Sequence, residues 1–438
     1  MKVSVRSLLS LTVVLSSLAV ATLDAQASTY FVAPNGNNAS LGTITAPWQT
    51  LRHAVALLRA GDTLYLRAGT YTGSANTIDS VLGTVPSGSS WTNAITIAGY
   101  AAEVVTIRPP DGQPGIKLSS GTLSGAAGIK YLIFKDFILD GANQTRDAGN
   151  GGPSGVYLNG GANHIRLLRI EVKNWLGFGV ATSPHNDVAP WSTYHEVINC
   201  KLHDNGLGLG TSTAPYAPNT GYGVYLETSD NLYEGNEVYN NGGYGMHVVD
   251  NSVPGERHVS RNVIRNNKIY GNGVRGGTNY GIVVGYGDRN QVYNNLVYRN
   301  RGGILVYTDS TNTTVYNNTI FDNKPSEGIL TQYSTTVTIK NNIVYSNGAA
   351  IVDLNGNSTI ANNITIDPRF VNAASGNFNL GSNSPAIDAG VTLVEVPSDF
   401  SGVGRPQGGG YDVGAYEYVG GSSSPPSIPK SLRWVPGP

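Results

Sequence analysis

Six short segments decide how this chain folds: INCKLHDNG (198–206), GNEVYNNG (235–242), NNKIYGNG (266–273), NNLVYRN (294–300), NNTIFDN (317–323) and NNIVYSNG (341–348). A shorter NNIT follows at 362–365. Between and after them run glycine-led apolar alternations: GVYLE (223–227), GMHVV (245–249), GIVVG (281–285), GILVY (303–307) and GILTQ (328–332). Aligned on the second Asn, the segments place Cys200, Asn236, Asn267, Asn295, Asn318, Asn342 and Asn363 in one column. The last three intervals are 23, 24 and 21 residues, the length of one β-solenoid coil.

The residue types follow from that geometry. Apolar and polar residues alternate over four to six positions, the period of a strand with one buried face. No coil buries that face alone, so coils stack and their inward Val, Ile and Leu form one continuous core. At the bend between two strands an Asn side chain bonds backbone of its own and the neighbouring coil, and it tolerates the left-handed conformation. Cys200 takes the first rung as a small buried substitute. With a single Cys in the chain, no intramolecular disulfide forms.

Charged residues make up 13% of the chain, against about 25% in ordinary domains. The net charge of −1 gives no field to attract nucleic acid or to steer a polyanion. Lys2 and Arg6 precede an uncharged stretch from Ser7 to Leu23, and Ala25-Gln26-Ala27 supplies a small-x-small cleavage pattern. Residues 1–27 therefore read as a signal peptide, giving an exported, secreted protein (extracellular or periplasmic) without membrane insertion. Residues 28–75 are expected to form a cap and first coil, 76–418 the solenoid with a closing segment, and 419–438 a Gly/Ser/Pro-rich tail. The many Gly-x-Gly pairs lack the following helix that a nucleotide site needs, so no nucleotide or redox cofactor is expected. The chain is expected to be a monomer.

The asparagine ladder resembles the repeats of right-handed parallel β-helix proteins of the pectate-lyase-like superfamily. The stretch TYFVAPNGNNASLGTITAPWQTLRHAVALLRAGDTLYLRAGTYTG (29–73) is similar to the opening of secreted members, family 9 polysaccharide lyases among them. The resemblance implies an all-β solenoid with a short N-terminal capping helix. Leu51, Val55 and Leu58 share a helical face, so Thr50 to Arg59 fits that cap. SPAIDAG (384–390) and DFSGVGRPQGGGYDVGAYEY (399–418) resemble the closing segment of such chains, which makes Asp388 and Asp412 turn or cap residues and Arg405 structural. The implied activity is polysaccharide cleavage, but the family patterns are incomplete. No run of clustered aspartates is present, the predicted groove strands carry no lysine, and the paired aspartates of β-helix polygalacturonases are missing.

Coils before Asn295 carry extra residues at 140–154, 181–194, 207–220, 251–257 and 273–279, flanking the glycine-led strands. If Val, Leu and Met of those strands point inward, Tyr157, Asn159, Tyr225, Glu227 and His247 share one outer face, with Asp250 just beyond. Beyond them the column turns to Val283, Leu305 and Leu330, with Tyr307 beside it. A lyase acting on uronate polysaccharide needs a base, an acid and a means of neutralising the carboxylate. His247 is the candidate base (with Arg257, Lys268 or Arg275 as alternatives), Tyr225 the acid, and Glu227, Asp230 and Asp250 candidate ligands for Ca²⁺. Tyr157, Asn159, Arg257, Arg275 and Tyr307 are candidate substrate contacts. A glycoside hydrolase pairing Glu227 with Asp250, Asp204 or Glu237 is the alternative, and so is a non-catalytic surface protein that binds glycan. An ordinary surface histidine and solvated acids fit the same pattern, and the tyrosines suit either sugar stacking or simple strand propensity.

Overall fold

The computed structural model describes residues 27–119, 128–145, 153–183, 192–207, 221–249 and 259–420. Each coil contributes one short strand to each of three parallel sheets. One coil runs through Met246–Val249, Val263–Arg265 and Lys268–Tyr270 before Tyr280–Gly285 opens the next. Those strands belong to sheets 3, 1 and 2 respectively, which hold 10, 12 and 10 strands among the described residues. Apart from the first two strands, Thr29–Val32 and Thr63–Leu66, sequence neighbours do not pair within these sheets. Each strand pairs in parallel with its counterparts one coil before and after it, as in Met246↔Ile282 and Ile269↔Val297. No described helix is long and apolar enough to cross a membrane.

Alternation puts Met246, Val248, Ile264 and Ile269 in the lumen, all fully buried, and the same inward set recurs along the axis. The helix Leu51–Ala56 covers the first coil through Leu51, Ala54 and Val55. It is shorter than the expected Thr50–Arg59, yet Leu58 remains buried. After the last coil the chain turns back along the outside. Leu393, Val396 and Tyr411 pack on the outer face of sheet 1, and Phe378, Ala415 and Tyr416 on that of sheet 2. Arg405 anchors this segment from a fully buried position, donating to Glu417, the carbonyls of Asp412 and Gly414, and Asn294.

The corner between sheets 1 and 2 carries the column expected from the sequence. The Oδ1 of each Asn accepts the backbone N–H of the preceding rung: Asn236 from Cys200, Asn267 from Asn236, and so on to Asn363 from Asn342, all at 2.9–3.0 Å. The residue before each rung adopts positive φ, as at Asn266 (57°), Asn294 (53°) and Asn317 (47°). Cys200 is buried at the end of the column, and burial pushes its thiol up to about 12, so it stays protonated and unreactive.

Two further columns occupy the other corners. Asn205, Asn241, Asn272, Asn300, Asn323 and Asn347 stack between sheets 2 and 3. His195, Asn231, Asn262 and Asn290 stack between sheets 3 and 1.

Replacing Asn318 by Ala removes the acceptor for both Asn295 donors and the donor to Val292 O, all in the buried interior. A buried group left without a partner costs about 1–3 kcal/mol. Asn318→Ala is therefore expected to lower the unfolding free energy by about 3 kcal/mol, measured as a drop in urea midpoint at unchanged m-value.

Candidate functional site on the outer face of sheet 3

The register of sheet 3 places Tyr157, Ala181, Tyr225, His247, Val283, Leu305, Leu330 and Val352 in one outward column. The column thus brings together Tyr157, Tyr225 and His247 as the alternation implied. It also extends the other way, through Lys117, which registers with Tyr157, to Asp79. The expectation that the groove strands carry no lysine is therefore overturned. Lys117 sits in Ile116–Leu118, a three-residue strand outside the Asn-rich repeats that set the sequence alignment.

Around His247 the face is aromatic. Its ring lies 4.9 Å from Tyr222, 5.0 Å from Tyr244 and 5.3 Å from Tyr225, and Phe178 stands 4.7 Å from Tyr225. The ring is half-buried, but its Nδ1 is sealed from solvent and has no hydrogen-bond partner among the described residues. Desolvation holds the imidazole down to about 3, so it is neutral at ordinary pH. Phe178, Tyr222 and Tyr244 went unrecognised because they lie outside the strands, just ahead of the glycines that open them.

Glu227 follows Leu226, and its N–H reaches Thr182 O at 3.2 Å. Its negative charge raises the hydroxyl pKa of Tyr157 and Tyr222, adding to the larger effect of burial. Tyr157 takes hydrogen bonds from the side chains of Ser183 and Asn159. Asn159 is 5% exposed, and its Oδ1 is a second enclosed acceptor with no partner among the described residues. Carboxylate, phenols and a neutral imidazole are thus held on rigid strands within a few coils, at about 4.8 Å per coil.

Other candidates lie elsewhere. Asp230 sits at the corner after Glu227, with both oxygens taken by Arg261 at 2.7 and 2.6 Å. Glu237 and Lys268 face outward on sheet 2 and pair with each other at 3.5 Å, while Asp204, at the end of that sheet's strand, binds His203 and Asn240. Neither acid shares the face of Glu227, so neither completes a carboxylate pair with it. Arg275 lies at the corner entering sheet 3, its N–H bonded to Gly242 O. Tyr307 ends the strand Gly302–Tyr307, three positions along the sheet from Tyr225 in the order of its strands. Asp250 and Arg257 lie outside the described residues. Leu226 registers with Val248, so Val249 is the neighbour of Glu227 across the sheet. Among the described residues no group of three or more His, Cys, Asp or Glu could hold a metal ion.

The family described as the right handed beta helix region matches residues 188–365. The chain is a right-handed parallel β-helix. This β-helix is similar to the crystal structure of pectate lyase Pel9A, with TM-score 0.58 and 18% identity over 89% of this chain and 96% of the other. A rhamnogalacturonan lyase superposes with TM-score 0.58 at 15% identity (82% and 95% covered), and a glycoside hydrolase with 0.51 at 11% (77% and 96%). These are likenesses of fold. Pectate lyase PEL9 of Emericella nidulans is 46% identical over 50 residues, which span 11% of this β-helix and 12% of that protein.

His247 and His195 are both held near 3, below the 6.5 of a free imidazole. The folded state refuses protons that the unfolded chain accepts, so this contribution to stability is present above pH 6.5 and is lost as pH falls toward 3. Unfolding measured across that window should show a slope of about 1.4 kcal/mol per pH unit for each group. His247→Gln should remove the share that belongs to His247.

Proposed function

We propose that this β-helix is an exported, carbohydrate-active enzyme that cleaves a uronate-containing polysaccharide by β-elimination on the outer face of sheet 3. The observation that carries the proposal is the half-buried, neutral ring of His247 on a rigid strand, set among Tyr222 and Tyr244, aligned with Tyr225 and one coil from Glu227. A histidine kept neutral by desolvation on an aromatic face is a candidate for functional chemistry.

In the proposed step His247 takes the C5 proton of a uronate. The electron pair forms the C4–C5 double bond, the C4–O bond breaks, and Tyr225 protonates the departing oxygen. An imidazole held near 3 is a weak base in the free protein. A substrate carboxylate beside the ring favours its protonated form and raises its basicity on binding. Glu227 acts in the same way from the protein side and orients sugar hydroxyls together with Tyr157 and Asn159. Lys117, in register with Tyr157, pairs with the carboxylate of another unit of the chain. Ca²⁺ held by Glu227, Asp230 and Asp250 fits poorly, because both Asp230 oxygens bind Arg261, and no step is routed through it.

The aromatic cluster of Phe178, Tyr222 and Tyr244 also suits a glycan-binding face without chemistry, since aromatic faces accept the C–H faces of sugars. A hydrolase finds less support. The described strands flanking Glu227, Val180–Thr182 and Met246–Val249, carry no second carboxylate, while Asp250 lies outside the described residues.

The test is ultraviolet absorbance of the unsaturated product during incubation with a panel of uronate polysaccharides, with calcium and with a chelator. Absorbance should rise on at least one substrate, and His247→Ala and Glu227→Gln should each lower kcat by about 10²–10⁴-fold. Glycan binding without product from any substrate would select the binding face, and reducing-sugar release without absorbance the hydrolase.

A further inference from the structure

One inward column of sheet 3 runs Leu118, Leu158, Thr182, Leu226, Val248, Val284 and Val306. Thr182 is the one polar member over that span, and it is fully buried. Valine has the same outline and takes no hydroxyl out of water, so the lumen by itself favours Val there. The exception falls in the coil adjoining Glu227. Thr331, next along the column, also carries a hydroxyl, but near the last coil, where it donates to Asp353 at 2.7 Å.

The Thr182 hydroxyl has two partners. Its Oγ1 lies 3.1 Å from Oγ1 of Thr228, itself 1% exposed, and accepts the Glu227 N–H at 3.3 Å. The same N–H reaches the Thr182 carbonyl at 3.2 Å. Thr228 is in turn tied to the Asn column between sheets 3 and 1. Its Oγ1 accepts from Asn231 Nδ2 at 3.2 Å, and its carbonyl accepts from Asn231 and Asn262 at 3.1 and 3.0 Å. Asn231 Nδ2 also donates to Asn262 Oδ1 at 3.0 Å. Buried side-chain bonds therefore run without a break from Asn262 through Asn231, Thr228 and Thr182 to the backbone of Glu227. They meet Glu227 just past the end of the strand Val224–Leu226, where the chain bends at 228–230. His247, by contrast, lies inside its strand between inward Met246 and Val248, where strand pairing holds it.

We propose that Thr182 is a positioning residue for the face of sheet 3: with Thr228 it fixes the backbone of Glu227 and so aims the carboxylate at the bound uronate chain. The inference rests on the proposal above that Glu227 acts in β-elimination. A misplacement of about 1 Å can cost about 10²-fold in rate. A bond that only sets direction thus counts for more in turnover than in folding.

Two substitutions separate these effects. Thr182→Val keeps the outline and removes the hydroxyl, while Thr182→Ser keeps the hydroxyl and removes a packed methyl group. Thr182→Val should hold the urea midpoint of the unsubstituted protein, lower kcat by about 10–10²-fold with KM within about twofold, and move the Glu227 amide proton resonance upfield. Thr182→Ser should lower the midpoint, yet return the amide resonance and bring kcat within about threefold of the unsubstituted protein. A merely structural role gives the opposite order, with activity following stability. In a Glu227→Gln background Thr182→Val should change kcat by less than about twofold, because the two residues act as one unit. Should Thr182→Val not fold, Thr228→Val removes the same tie from its other end. The inference is overturned if folded Thr182→Val keeps full kcat, if Thr182→Ser loses as much as Thr182→Val, or if the loss persists in Glu227→Gln. Absence of unsaturated product from every uronate polysaccharide would overturn the elimination reading and this role with it, and an amide resonance that still moves would then mark the tie as structural alone.

Discussion

Everything in this molecule depends on one repeated contact, the Asn side-chain oxygen that accepts the backbone N–H of the neighbouring coil's rung. Parallel strands alone would permit a coil to slip by two residues and still bury its apolar face. The Asn bond does not, because it joins a particular side chain to a particular backbone N–H at a sharp corner. With such columns at all three corners, the coils between His195 and Asn290 are pinned in register against one another. The inward residues then meet like on like, and the core needs neither a disulfide nor a large helix.

Locked register is also what makes a site possible on strands of three or four residues. Tyr225 and His247 stand side by side because Leu226 and Val248 do, and neither depends on a loop for its position. The surroundings set the chemistry. A ring of tyrosines desolvates His247 and keeps it neutral, whereas Asp230, three residues beyond Glu227, is turned toward Arg261 and becomes part of the scaffold. The same sequence neighbourhood therefore supplies one acid to the face and one to a corner.

The period of the Asn column, the inward and outward alternation and the capping helix were all legible from the sequence, because each is a local pattern repeated many times. The second Asn column was equally present, as the closing Asn of DNG, NNG and GNG, but one alignment column was enough to define the period. Lys117 was not legible, since its coil lacks the Asn-rich motif that would have placed it on sheet 3. Nor was the fate of Asp230, Glu237, Asp204 and Lys268. Spacing fixes which strand a residue occupies, while ion pairs such as Asp230–Arg261 and Glu237–Lys268 form across coils 31 residues apart. The neutral state of His247 depends on Tyr222 and Tyr244 closing over it, a packing effect that strand alternation does not encode.

The central claim is that a uronate meets His247, and its most direct test is the nitrogen resonances of the His247 ring, followed by NMR as uronate oligosaccharide is added. The account predicts that a ring nitrogen moves from the neutral position toward the hydrogen-bonded or protonated one, and that a neutral oligosaccharide produces less of this change. Tight binding of uronate with the His247 nitrogens unmoved would contradict it, and would place the glycan on another part of the solenoid.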